Sequence, residues 1–279
     1  MNGRIGKGIK MDEILEEKIS HIENLLRGKR ALVGFSGGVD SSVILQLAHE
    51  FCSHVVAVTA DSVTVPSGEI GEAKAITAQI GVNEHIIMAF DELEEEGFAS
   101  NPPNRCYICK KGLFSKLVEI AQRKNCDMIL EGTNASDLGG HRPGFEALQE
   151  LKVVSPLAEA GITKREVREI ARDRNLSVSE KPAMACLSSR IPYGSPITRE
   201  KLMRVSQVEG TIRALQLFDV LRVRDHEDIA RIEIGANEFE KALTADIRTK
   251  IVNAAQRAGY RFVVLDLEGY RPITPEEAH

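Results

Sequence analysis

Ser36-Gly37-Gly38-Val39-Asp40-Ser41-Ser42 follows the short apolar run Arg30–Phe35 and leads into Val43–Phe51, which is patterned as a helix. The apolar run reads as a buried strand, so the seven residues make a strand-to-helix turn. The two glycines let the backbone come close to an anion. The start of the helix offers N–H groups and the positive end of its dipole. Ser36, Ser41 and Ser42 add hydroxyl donors, and Asp40 is placed to hold Mg²⁺ against phosphates. The plain alternative is a tight, capped βα turn with no ligand. A lone Gly-Gly would not separate the two readings, but hydroxyls and an acid in this order exceed what a turn needs. The pattern G-x-x-x-x-G-K-[ST] is absent, which argues against ordinary γ-phosphate hydrolysis or kinase chemistry.

Strand and helix patterns alternate outward from this turn. Leu15, Ile19, Ile22 and Leu26 mark one helical face, with Gly28 as a stop. His54–Ala60, His85–Met88 and Asp127–Glu131 read as strands, and Gly68–Ile80 and Leu113–Lys124 as helices. Thr163 with Glu166 forms a capping box that opens a helix running to about Arg174. This order predicts an α/β fold, a doubly wound parallel sheet that binds ligands at the C-terminal ends of its strands. The pattern changes near residue 195. Thr198–Leu215 and Asn237–Ala258 read as long helices; Asp219–Arg224 and Ile229–Ile234 read as a strand pair, and Arg261–Asp266 as a last strand. We therefore expect domains at 1–195 and 196–279, the second a small α+β unit, with Ile191–Pro196 as the linker.

The composition bounds the function. The 279 residues carry 36 Lys+Arg against 41 Asp+Glu, a net charge of −5, so a broad nucleic-acid-binding surface is not expected. No apolar run reaches the roughly 18–20 residues of a membrane span. Residues 1–10 lack the apolar core of an export signal, and the five cysteines are too few for a disulfide scaffold. Reduced thiols and a cytoplasmic location are the expectation.

Three further stretches carry chemistry. Asn104-Arg105-Cys106-Tyr107-Ile108-Cys109-Lys110 is a C-x-x-C in a proline-containing loop, open to zinc, redox or iron–sulfur readings. Lys181-Pro182-Ala183-Met184-Ala185-Cys186-Leu187-Ser188-Ser189-Arg190 is a loop with one cysteine and an arginine four residues on. Arg222 and Arg224 alternate on a strand and share a face, which suits a joint anion site. Cys52 and Cys126 read as core thiols, Asp91–Glu96 as a solvated acidic run, and His141 and His226 as surface polar residues.

The turn at residues 36–42 resembles the PP-loop of the ATP pyrophosphatases, enzymes that cleave ATP between the α- and β-phosphates and adenylate a carboxylate or carbonyl oxygen. With the cysteine loops, Glu131-Gly132-Thr133-Asn134, Leu221-Arg222-Val223-Arg224 and Arg231-Ile232-Glu233-Ile234, the chain from about Leu25 to Pro272 is similar to the LarE-type ATP-dependent sulfur transferases of nickel-pincer nucleotide synthesis. The resemblance implies that Ser36, Gly37, Gly38, Asp40, Ser41 and Ser42 hold the pyrophosphate end of ATP. It places Thr59, Ala60 and Asp61 beside adenosine, and Gly132 and Thr133 at the α-phosphate. It makes Cys186 the sulfur-bearing cysteine, puts Arg190, Arg222 and Arg224 at the substrate, and gives Glu131, Arg190 and Glu233 catalytic positions. The implied substrate is pyridinium-3,5-biscarboxylate mononucleotide, with one carboxylate converted to a thiocarboxylate. The implied cofactors are ATP, Mg²⁺ on Asp40, and a [4Fe-4S] cluster on Cys106, Cys109 and Cys186. The family further implies a homo-oligomer, a hexamer, acting on a small molecule with no nucleic-acid or membrane partner. The competing reading is a PP-loop tRNA thiolase with a three-cysteine cluster, which predicts an RNA-binding module and a basic stripe.

Overall fold

The periodic residues at the start of the chain, Leu15, Ile19, Ile22 and Leu26, are buried on one side of helix α1 (Glu13–Leu26), which Asp12 caps. In the computed structural model, which describes residues 12–66, 68–139, 143–182 and 185–271, the apolar run before the glycines is strand β1 (Arg30–Gly34). It leads into α2 (Val39–Phe51), β2 (His54–Asp61), α3 (Glu69–Ile80) and β3 (Glu84–Ala89). Then follow α4 (Arg105–Arg123), β4 (Met128–Leu130), α5 (Pro143–Glu150), α6 (Pro156–Glu159) and α7 (Lys164–Asp173). All strand pairs are parallel, in the order β3-β2-β1-β4.

Helices cover both faces of this sheet. Ala31 and Val33 point into a core shared with α1, α2, α3 and α7, whereas Leu32 points into one shared with α4 and α5. With both faces buried, β1 and β2 read as nearly continuous apolar runs rather than alternating ones. The expected doubly wound α/β fold is the one observed.

The chain divides into two compact units, one of residues 1–61, 68–90 and 110–184, the other of 62–67, 91–109 and 185–279. The second contains α8 (Arg199–Arg213), β5 (Leu221–His226), β6 (Ile229–Ile234), α9 (Phe239–Leu243), α10 (Ala245–Arg257) and β7 (Phe262–Leu265). β5 and β6 are antiparallel, and β7 joins β6 in parallel. Leu221, Val223, Ala230, Ile232 and Ile234 form a core with α8 and α10. The strand alternation sends Arg222, Arg224, Arg231 and Glu233 to the opposite face.

Several local expectations change. The helix expected at Leu113 begins at Arg105, so the C-x-x-C lies on the first turn of α4 and not in a loop. The long helix expected over Asn237–Ala258 is interrupted at Thr244, whose backbone is extended (ψ 144) and whose hydroxyl donates to the Lys241 carbonyl at 2.9 Å. α5 and α6 were not expected. Within the acidic run, Glu92 is buried and accepts hydrogen bonds from the Ser62 and Thr64 hydroxyls. No helix among the described residues is long and apolar enough to cross a membrane. His141, Arg142, Ala183 and Met184 lie outside the described residues.

Candidate functional site

The glycine turn folds by its own hydroxyls. Gly37 takes a left-handed conformation (φ +74) and Gly38 caps α2. The Ser41 and Ser42 hydroxyls donate to the Gly38 carbonyl at 3.1 and 2.9 Å, and the Ser36 and Ser41 hydroxyls meet at 3.1 Å. The first turn of a helix leaves N–H groups without intrahelical partners, which is where an anion sits.

Asp40, on that first turn, pairs with Lys164 at the start of α7 and accepts from the Asn134 amide at 3.1 Å. Gly132 packs so closely that a Cβ there would lie 2.7 Å from the Ser41 backbone nitrogen. Glu131, buried at the end of β4, accepts from the Thr133 amide (2.9 Å) and hydroxyl (2.8 Å) and from the Ser155 hydroxyl, with Lys110 at 3.6 Å. It therefore shapes the turn of Gly132 and Thr133 from within. Lys181 reaches the Gly37 carbonyl at 3.3 Å and pairs with Glu69 (2.7 Å) and Glu72 (2.8 Å). Burial alone would lower its pKa, but the two carboxylates outweigh that and raise it. Thr59 donates to the Phe35 carbonyl at 2.7 Å, which leaves His85 Nε2, 2.8 Å away, as the donor to the threonine oxygen. Ala60 and Asp61 close β2, with Asp61 exposed. Lys164 and Ser155 were not singled out from the sequence, and Asn134 and Lys181 stood in motifs there without a role of their own. The capping box that opens α7 locates Lys164 on a helix start but says nothing of its partner.

In the second unit, Cys186 is exposed and precedes a 3₁₀ turn, Leu187–Arg190. Cys106 is exposed and Cys109 is half-buried against Phe98, Leu187 and Ile191. All three cysteines belong to this unit. Among the described residues, no three His, Cys, Asp or Glu side chains are gathered as a metal site. Cys52 and Cys126 pack against the cores of the first unit, and burial, with Asp127 second, pushes the Cys52 thiol up to about 11.

Arg190, expected at the substrate, is 1% exposed. Its Nε and Nη2 donate to Glu209 at 2.7 and 3.2 Å, and its Nη1 donates to the Ala185 and Cys186 carbonyls and to the Ser189 hydroxyl at 3.3, 3.4 and 2.8 Å. The guanidinium is thus engaged by Glu209 and by the turn around Cys186. Arg224 makes a two-pronged pair with Glu233 at 2.9 and 2.8 Å and donates to the Ser189 carbonyl at 2.7 Å. Arg231 meets the same Glu233 carboxylate at 2.9 Å. Arg222 lies over the Tyr270 ring at 5.1 Å. Burial, and Arg190 second, push its guanidinium below the ordinary arginine value. Cations that lower one another's pKa create a place where an anion is stabilised. Glu209 was not singled out from the sequence and Arg231 had no role there, because their partners are helix–strand and same-face neighbours.

The chain is similar along most of its length to known proteins. The model of the queuosine biosynthesis protein QueC family matches residues 30–105, which include the glycine turn. An uncharacterized protein of Synechocystis sp. is 36% identical over 260 residues, 92% of this chain and 96% of its own. The pyridinium-3,5-bisthiocarboxylic acid mononucleotide synthase of Lactiplantibacillus plantarum is 32% identical over 263 residues, 94% of each chain. A subunit of the glutamine-hydrolyzing GMP synthase of Thermococcus kodakarensis is 27% identical over 198 residues, 66% of this chain and 61% of its own.

Proposed function

Because the chain belongs to the family of the pyridinium-3,5-bisthiocarboxylic acid mononucleotide synthase, the LarE-type ATP-dependent sulfur transferases, we propose that it converts a carboxylate of pyridinium-3,5-biscarboxylate mononucleotide to a thiocarboxylate. The observation that carries this reading is a relationship extending over 94% of both chains, far beyond the ATP-binding turn. It is an ATP-dependent enzyme, and ATP is used with Mg²⁺, as in the PP-loop family.

The roles follow the residues. Ser36, Gly37, Gly38, Asp40, Ser41 and Ser42 receive the departing pyrophosphate, and Asp40, paired with Lys164, would hold Mg²⁺, which would neutralise phosphate charge there. Thr59, Ala60 and Asp61 border adenosine, and Gly132 and Thr133, held by Glu131, border the α-phosphate. A substrate carboxylate oxygen attacks the α-phosphorus, pyrophosphate leaves, and the acyl adenylate forms. The Cys186 thiolate then attacks the acyl carbon and AMP leaves, giving a thioester; removal of the Cys186 Cα proton by a base with cleavage of its Cβ–S bond releases the thiocarboxylate and leaves dehydroalanine at that position. Cys186 is the sulfur-bearing residue, and Arg222 and Arg224 hold substrate anions beside Glu233. The turn that follows Cys186 supports this reading, since arginines fix its carbonyls and leave the thiol side exposed.

A [4Fe-4S] cluster on Cys106, Cys109 and Cys186 is supported by thiolate donor chemistry and by the family's three-cysteine pattern. The thiols as arranged do not make a ligand set among the described residues, so no step is assigned to a cluster. A homo-oligomer, a hexamer acting in the cytoplasm without nucleic acid, completes the proposal.

The test is direct. The purified protein is given ATP, Mg²⁺ and the mononucleotide, and the products are separated. AMP, pyrophosphate and a substrate in which sulfur replaces one oxygen are expected. ADP with orthophosphate, or pyrophosphate release that needs tRNA instead of the mononucleotide, would refute the reading. Iron and acid-labile sulfide after anaerobic purification test the cluster separately.

A further inference from the structure

Glu209 is a carboxylate on α8 that is 2% exposed. It accepts from Arg190 Nε and Nη2, from Arg213 Nη2 at 2.6 Å and from the backbone N–H of Val223 at 3.0 Å. These bonds join two parts of the candidate site. Arg190 carries the connection to the Cys186 carbonyl and the Ser189 hydroxyl. Val223 lies on β5 between Arg222 and Arg224. Arg224 returns to the same turn through the Ser189 carbonyl. The result is a closed hydrogen-bonded circuit: the Cys186 turn, Arg190, Glu209, β5, Arg224, and the turn again.

We propose that Glu209 is a positioning residue for sulfur transfer, acting through Arg190 to fix the Cys186 turn in register with the strand of Arg222 and Arg224. The physical reason is the cost of burying Arg190. A fully buried guanidinium needs a matched carboxylate, and breaking such a pair from one side is strongly unfavourable because it leaves a buried charge uncompensated. Glu209 meets that need bidentately, which fixes the plane of the guanidinium and so the direction of its remaining N–H groups. Those groups point at the carbonyls around Cys186. An anchor for Arg190 alone would require one carboxylate oxygen pair and no more. Glu209 uses one of its oxygens on the β5 backbone as well, so the same side chain sets the height of the turn and of the arginine strand. Arg213, one helical turn on, keeps the carboxylate oriented.

The proposal rests on the reading of Cys186 as the sulfur-bearing residue, and its test separates the two. In the full-length protein, Glu209→Gln keeps the shape and an acceptor for the Val223 N–H but removes the charge that Arg190 needs. Pyrophosphate release at saturating mononucleotide should stay within about twofold of the parent, because glutamine still accepts from the Val223 N–H and so keeps the strand of Arg222 and Arg224 in place. Thiocarboxylate formation should fall at least tenfold. A Glu209→Gln/Arg190→Gln double variant should be no slower than the slower of Glu209→Gln and Arg190→Gln measured alone, since both act through one connection. Carbamidomethylation by iodoacetamide, followed peptide by peptide, should be at least threefold faster at Cys186 in Glu209→Gln as the turn loosens, with Cys106 within twofold of the parent.

Parent-like thiocarboxylate formation in Glu209→Gln overturns the proposal. So does equal loss of pyrophosphate release and sulfur transfer, or an additive double variant, or an unchanged alkylation rate at Cys186. Should Cys186→Ala still form thiocarboxylate, the reading of Cys186 fails, and the alkylation rates alone then decide whether Glu209 orders the turn.

Discussion

Replacing Gly132 by alanine probes its close approach to the first turn of α2. The added Cβ would lie 2.7 Å from the Ser41 nitrogen, 3.0 Å from the Asp40 carbonyl carbon and 3.1 Å from the Ser41 Cα. All three are backbone atoms on the first turn of α2, so no flexible side chain yields. Ordinary contact begins at 3.4 Å, so the two segments must part by about 0.7 Å. Overpacking of this kind costs about 1–3 kcal/mol. Asn134, two residues on, donates to Asp40 at 3.1 Å, and the displacement removes that bond. A hydrogen bond to a charged group contributes about 1.5–3 kcal/mol, so the KM for ATP should rise about tenfold or more. Stability is read from urea unfolding followed by circular dichroism, and ATP use from pyrophosphate release at saturating mononucleotide. Gly71→Ala is the control. Gly71 lies inside α3 with nothing within 4 Å of its Cβ position, so alanine there should stabilise by about 0.5–1 kcal/mol. If Gly132→Ala unfolds within about 0.5 kcal/mol of the parent and keeps the parent's KM, the close-approach argument is wrong.

Asp40→Asn should keep the fold and lose adenylation, because the Asn134 bond can persist while the charge facing Lys164 and Mg²⁺ is gone; unchanged AMP formation would contradict this. Arg222→Ala should weaken the mononucleotide by about ten- to a hundredfold and leave ATP binding nearly untouched, equal losses for both ligands being the adverse result. Glu166, despite burial, is held by Lys18 and by the Thr163 N–H and hydroxyl from an ordinary 4.5 down to about 2, equivalent to about 3 kcal/mol. A depressed carboxylate stabilises above its unfolded pKa and loses that contribution as pH falls. The stability gap between the parent and Glu166→Gln should therefore be full at neutral pH and shrink between 4.5 and about 2; a gap independent of pH would show that the ion pair is not its source.

The sheet was legible because its strands are short, apolar and separated by helical periods. The spacing of Leu15, Ile19, Ile22 and Leu26 and the box of Thr163 with Glu166 are local signals, and both elements stand where those signals put them. The C-x-x-C was misplaced because prolines before it suggested a loop, whereas the helix simply starts right after them. The break at Thr244 was invisible to periodicity, since one extended residue leaves the apolar spacing on either side intact.

Residue chemistry by itself determined the strand, glycine turn and helix at residues 30–51, the alternation that gives Arg222 and Arg224 one face, and the capping box that opens α7. Each is a short-range pattern, set by periods of 2 and 3.6 residues or by adjacency in the chain. Which charge meets which was decided only by tertiary structure. Asp40 meets Lys164 across 124 positions, and Arg190 is buried because Glu209, on another element, neutralises it in the interior. A guanidinium has the same sequence signature whether it faces a phosphate or a buried carboxylate. The difference lies in desolvation and in the nearest opposite charge, and both come into being only when the chain folds.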